Sequence, residues 1–224
     1  QIQKPFSNGL TASLAYNYGE ATAIFEGTSS QNSSQWRGVY SLTGRNNATV
    51  GRSDFAQGGR LSGFLSYKKE YLGFAATTVT FFLNAQSGGA FSYTYNDDIG
   101  NEDSRERSLI YVPATQNEIV LIDKTREDDP GNVIVTSSAA QQWTALDSYI
   151  KNDDYLNSRR GDYAEKNGSR TPFETILDFK IQQDFFVETG NGMKHSIQVG
   201  FDIFNFTNFL NKNWGVRYQS NFGA

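Results

Sequence analysis

The sequence predicts an all-β chain: a partial antiparallel transmembrane β-barrel whose strands are joined at one end by long loops. Three observations predict it. Several segments alternate apolar and polar residues over unusual lengths, the connections alternate short with long, and aromatic residues gather near the segment ends. Composition agrees. The 224 residues hold no apolar run of about 18, which excludes a membrane-spanning helix. Mean hydropathy is −0.54, a value barrels can reach because polar lumen residues dilute the lipid-facing ones. With 17 Phe, 12 Tyr and 21 Gly against 4 Pro, the mix favours strands and turns over helices.

Residues 171–214 organise the rest. Phe173, Thr175, Leu177, Phe179, Ile181, Gln183, Phe185 and Val187 form one face of a strand, and six of those eight are apolar. Glu174, Ile176, Asp178, Lys180, Gln182, Asp184, Phe186 and Glu188 form the other, and six of those eight are polar or charged. Period two is what a sheet requires. After a turn at 188–194, Ile197, Val199, Phe201 and Ile203 alternate with Ser196, Gln198, Gly200 and Asp202. An arm of about 15 residues at about 3.3 Å each extends about 50 Å, or about 35 Å when tilted 45°. That length crosses a bilayer core.

Taken in order, 1–4 reads as a strand tail and 5–9 as a tight turn closing on Asn8-Gly9. Leu10, Ala12, Leu14, Tyr16 and Tyr18 give the next strand an apolar face. Residues 20–56 are polar and aperiodic, as a long loop should be. A third strand is expected over 58–67, a turn over 68–73, and a fourth strand over 75–86. Residues 96–171 make a second long loop. Within it, Leu109–Pro113 and Ile119–Ile122 are β-like runs, and 138–161 looks helical. There Ser138 and Gln141 make a capping box, and Arg159-Arg160 precede Gly161. Trp143, together with Tyr111, Tyr149 and Tyr155, could form a lid over a lumen.

Cysteine is absent, which excludes disulfide staples and thiolate metal sites. A net charge of −4 argues against nucleic acid as a partner. His195 is the sole histidine, so neither a catalytic triad nor a multi-histidine metal site is expected, and no enzyme or cofactor chemistry is read here. Three acidic loop clusters, Asp97-Asp98, Asn101-Glu102-Asp103 and Asp128-Asp129, offer oxygen ligands but match no EF-hand loop. Asp178, Lys180, Gln182, Asp184, Gln198 and Asp202 are the candidate lumen- or substrate-facing set.

Three stretches carry a family resemblance. Arg52-Ser53-Asp54-Phe55 followed by Arg60 and Tyr67 is similar to a barrel-strand entry, with Gly59 where the family carries His. Arg170-Thr171-Pro172-Phe173 with Asp178 is similar to a late-strand start. Phe204-Asn205-Phe206-Thr207-Asn208, Asn211 and Trp214-Gly215 are similar to an exit near the barrel's end. Together they resemble the C-terminal barrel portion of TonB-dependent outer-membrane transporters, with Oar-like receptors as the nearest subgroup. The resemblance implies about six to seven strands of a barrel of the ~22-strand class, in the outer membrane of a Gram-negative bacterium. It further implies import of a scarce, bulky nutrient of unknown identity, driven by the TonB complex through a plug domain that this stretch lacks. The implied surroundings are outer-membrane lipid. The opening Gln1-Ile2-Gln3 reads as a strand already under way, so an internal or C-terminal piece is expected. Two rival readings share the alternation: a secreted β-sandwich that binds carbohydrate, and an outer-membrane barrel with a structural or adhesive role.

Overall fold

The computed structural model describes residues 1–6, 8–96, 99, 107–190 and 192–219. Six strands form one antiparallel sheet in chain order: β1 (Ile2–Pro5), β2 (Leu10–Gly19), β3 (Gly58–Tyr71), β4 (Ala75–Gln86), β5 (Glu174–Glu188) and β6 (Lys194–Ile203). Every neighbour is the next long strand along the chain. The class is therefore all-β, and the sheet is open among the described residues, with β1 and β6 each paired on one side.

Register sorts the side chains into two faces. Lys180 lies opposite Asp202 and Thr80, and Ser66 opposite Thr80 and Thr11, so the polar positions of successive strands coincide. On the other face Leu14, Gly63, Leu83 and Leu177 lie level across β2 to β5. A one-residue slip anywhere would invert one strand's faces, so the pattern specifies the register. Nothing in the described chain covers most of the apolar face: Phe201 is 62 % exposed, Ile197 71 % and Tyr16 65 %.

The strands are also staggered. Leu10, just past the first turn, pairs with Tyr67, and β3 runs four residues further to Tyr71. Ala75, just past the second turn, pairs with Phe185, and β5 runs three residues further to Glu188. The offset keeps one sense, as tilted strands demand. Leu72 and Gly73 make the second turn at positive φ (56° and 73°), the conformation that suits right-twisted hairpins.

Several sequence expectations need correction. The segment 68–71 belongs to β3 rather than to a turn, because Lys68 and Glu70 continue the polar face and pair with each other at 3.1 Å. Residues 119–122 form no strand. Instead Lys124–Asp129 and Asn132–Ser137 make a hairpin turning at Gly131, whose φ is 86°. The helical stretch is two helices, Ala139–Asn152 and Asp154–Ser158, broken at Asp153, whose side chain caps the second by accepting from Leu156 N. The Ser138–Gln141 capping box is present. The first long loop carries a short helix, Asn32–Arg37, that no periodicity announced. β5 begins at Glu174, one residue after Phe173, the first position of the expected arm, and has the expected length of 15 residues.

All long connections leave the same end of the sheet and build a cap there. Two-residue strands tie it together: Thr22–Ala23 with Gly51–Arg52, Ala90–Phe91 with Ser169–Arg170, and Tyr111–Val112 with Asp162–Tyr163. A buried hydrophobic cluster sits in this cap, whereas the buried apolar residues of the sheet are the small side chains Ala75, Ala76 and Ala85 of β4. Val112, Ile150 and Leu156 are buried, with Tyr93, Ile110, Leu146 and Tyr155 packed against them.

Candidate functional site

The polar face carries a chain of side-chain bonds. Lys180 pairs with Asp202 at 3.5 Å, Gln182 Nε2 donates to Gln198 Oε1 at 2.9 Å, and Gln198 Nε2 donates to Asp184 Oδ1 at 2.6 Å. Five of the six sequence-predicted residues are thus brought into one stripe on β5 and β6. The sixth, Asp178, is committed elsewhere. Its Oδ1 accepts from Asn205 N at 2.7 Å and fixes the turn where the chain leaves β6. Asn205 sits at φ 53° there and donates Nδ2 to Gly215 O at 3.0 Å, while Phe206 lies on Phe179 and Phe81 across the apolar face.

The four aromatic residues expected to form a lid have different surroundings. Tyr155 stacks on Tyr93 with ring centroids 6.1 Å apart, and its hydroxyl accepts from Glu165 N at 2.7 Å. Burial pushes the Tyr155 phenol up, and burial with the Asp153 hydrogen bond pushes Tyr93 further. Tyr111 donates to Glu118 at 2.8 Å, a bond that raises its phenol. Glu118 in turn accepts from Ala114 N and from Tyr111, and those bonds hold its carboxyl low. Tyr155 and Tyr111 are therefore internal struts of the cap. Trp143 is half-buried on the helix, and Tyr149 is exposed at 57 %.

A buried node that the alternation could not reveal joins the two long loops of the cap to each other. Lys166 Nζ reaches Ala23 O at 3.0 Å, Ile24 O at 3.2 Å and Glu26 Oε1 at 3.0 Å, with only 2 % of its side chain exposed. Burial works to raise the Glu26 carboxyl, but bonds from Ser53, the Asp54 amide and Lys166 outweigh it and hold it low. Asn167, at φ 53°, donates to Arg52 O at 2.9 Å and Asp54 Oδ1 at 2.6 Å, and Arg52 returns a bond to Asn167 O at 2.6 Å. Arg170 donates to Ala56 O at 2.8 Å and Gly88 O at 3.1 Å. The motif residues around Arg52 and Arg170 are thus latches that bind loop to loop at the strand entries.

Beside these latches, at the cap end of the polar face, lies an open cleft of about 880 Å³. Gln86 and Glu174, a cross-strand pair, form part of its lining, with Phe55, Arg170, Arg217 and Tyr218 around it. Arg217 lies 3.5 Å from Glu174 and is 60 % exposed, which leaves it able to meet a ligand. Sequence reasoning missed Glu174 and Arg217 as a pair, because nothing in the spacing links a strand start to the segment after β6. Among the described residues no cluster of three or more potential metal ligands exists. Asp128 accepts from Asn132 Nδ2 at 2.7 Å within its own hairpin; the clusters at 97–98 and 101–103 lie outside the described residues. No family model, curated protein or solved structure matches the chain.

Proposed function

We propose that this chain supplies wall strands and part of the external cap of a transmembrane β-barrel that acts as an outer-membrane active transporter. One observation carries the reading. A staggered antiparallel meander has an uncovered apolar face opposite a hydrogen-bonded polar face, and all of its long connections gather at one end. A water-soluble domain would leave that apolar area without a partner. In a bilayer, lipid covers it, and the polar face lines the lumen. The cleft at Phe55, Glu174, Arg217 and Tyr218 is then where a solute arriving from outside first meets the wall. The stripe of Lys180, Gln182, Asp184, Gln198 and Asp202 lies below it. The family resemblance adds the energy source, the TonB complex acting through a plug domain.

Fractionating the source cell with an antibody to residues 171–214 tests the architecture. The expected result is a band in the outer membrane well above 25.0 kDa. A soluble band at 25.0 kDa would replace the barrel with a secreted β-sandwich binder. Given the barrel, Arg217→Ala combined with Phe55→Ala should raise the solute concentration for half-maximal uptake roughly tenfold, about 1.4 kcal/mol of lost binding. A barrel whose intact cells take up no solute would leave the structural or adhesive role instead.

A further inference from the structure

The apolar face is not uniformly neutral. Register places Lys4, Lys69 and His195 on it, among Leu14, Tyr67, Thr77, Val187 and their neighbours. Each basic residue lies within two residues of a strand end at a short turn: Lys4 next to the end of β1, Lys69 two before the end of β3, and His195 second in β6. In a staggered sheet, equal distance from the turns means equal depth. The three residues therefore mark one band across the face. No Asp or Glu shares this face in the described strands, and the cap end of the face carries no basic residue. Lys4 and Lys69 are exposed, and neither forms an ion pair among the described residues. The Lys4 ammonium lies over the Phe6 ring, 5.0 Å from its centroid, beside the first turn.

We infer that this basic rim binds the phosphate headgroups of an anionic phospholipid leaflet, so that the short-turn end lies in that leaflet and the cap faces away from it. The inference rests on the barrel reading above. A lysine on a lipid-facing wall is costly at mid-depth and nearly free at the interface, so the band must sit at headgroup level. There an ammonium meets lipid phosphate, and a leaflet rich in anionic lipid attracts each such charge. A carboxylate at the same depth would be repelled, which agrees with the one-sign composition. Tyr67, exposed on the same face one step above Lys69, fits the aromatic belt of such an interface.

The test uses the intact protein in vesicles of phosphatidylcholine with a minor share of phosphatidylglycerol, and spin-labelled forms of each lipid report which one the wall immobilises. The protein should prefer phosphatidylglycerol. Lys4→Gln with Lys69→Gln should weaken that preference by up to about fivefold per lysine, and added salt should weaken it too. Lys68→Gln, one residue away but on the polar face, should leave it unchanged. Insertion without any preference, or a preference indifferent to the double variant, overturns the rim while the barrel stands. In a second set of vesicles that also carry lipid A, a stronger preference for lipid A overturns it as well, because the rim would then face the opposite leaflet. Failure to insert into any vesicle removes the barrel reading, and the rim goes with it.

Discussion

Lys166 shows how much of the cap hangs on one side chain. An ammonium this buried survives only because two carbonyls and a carboxylate replace its water. Lys166→Met keeps the bulk but strands Glu26 and the two carbonyls. It should destabilise the cap by about 3–5 kcal/mol, read as early protease cutting at 20–56 while the sheet stays intact. The pH dependence follows from Glu26. Its carboxyl is held below its ordinary 4.5, so its stabilisation is complete above that value and fades as pH falls through the lower, folded one. Protease sensitivity of the cap should therefore rise only below about 4.5, and Glu26→Gln should abolish that step. An unchanged pH profile in Glu26→Gln would assign the step to another acid. Nothing in the sequence pointed to Lys166, because two of its partners are backbone oxygens more than 140 positions away. A carbonyl has no residue type to read.

At the scale of elements, legibility tracked whether the two faces of an element differ in polarity. β2, β4, β5 and β6 each carry one mostly apolar and one mostly polar face, and that alternation announces itself. The hairpin at 124–137 has solvent on most sides, and its first strand, Lys124–Asp129, is wholly polar and exposed. It is held by pairing and by Gly131 rather than by burial, so period two never forms. The end of β3 misled for a related reason: Lys68, Lys69 and Glu70 look like turn residues, yet they keep the ladder running with Thr77 and Thr78. The helix at 139–152 was legible because its cap is a local code. Ser138 Oγ accepts from Gln141 N at 3.2 Å, and the Gln141 side chain accepts from Ser138 N at 2.9 Å. Ser138→Ala should cost about 1 kcal/mol, seen as faster amide exchange in the first turn of that helix and nowhere in the sheet. Equal acceleration throughout the cap would mean that helix and cap open as one unit.

For the whole molecule, the decisive property is what the apolar face touches, and a single charge can report it. Leu65 lies near mid-length of β3 on that face, half exposed, paired in register with Ala12 and Phe81. Ser62, on the opposite face of the same strand, lies level with Ala15 and Asn84. Against lipid, Leu65→Arg should cost about 2–4 kcal/mol, because the guanidinium sits near the bilayer midplane, whereas Ser62→Arg can project into water. In a water-soluble sandwich with this face exposed, Leu65→Arg would be nearly neutral and would improve solubility, because it breaks an exposed apolar patch. The two cases thus differ in sign as well as size. Urea unfolding of both variants, refolded into vesicles, reads the difference directly. A loss confined to Leu65→Arg places lipid on that face. Equal midpoints would mean that water is there instead.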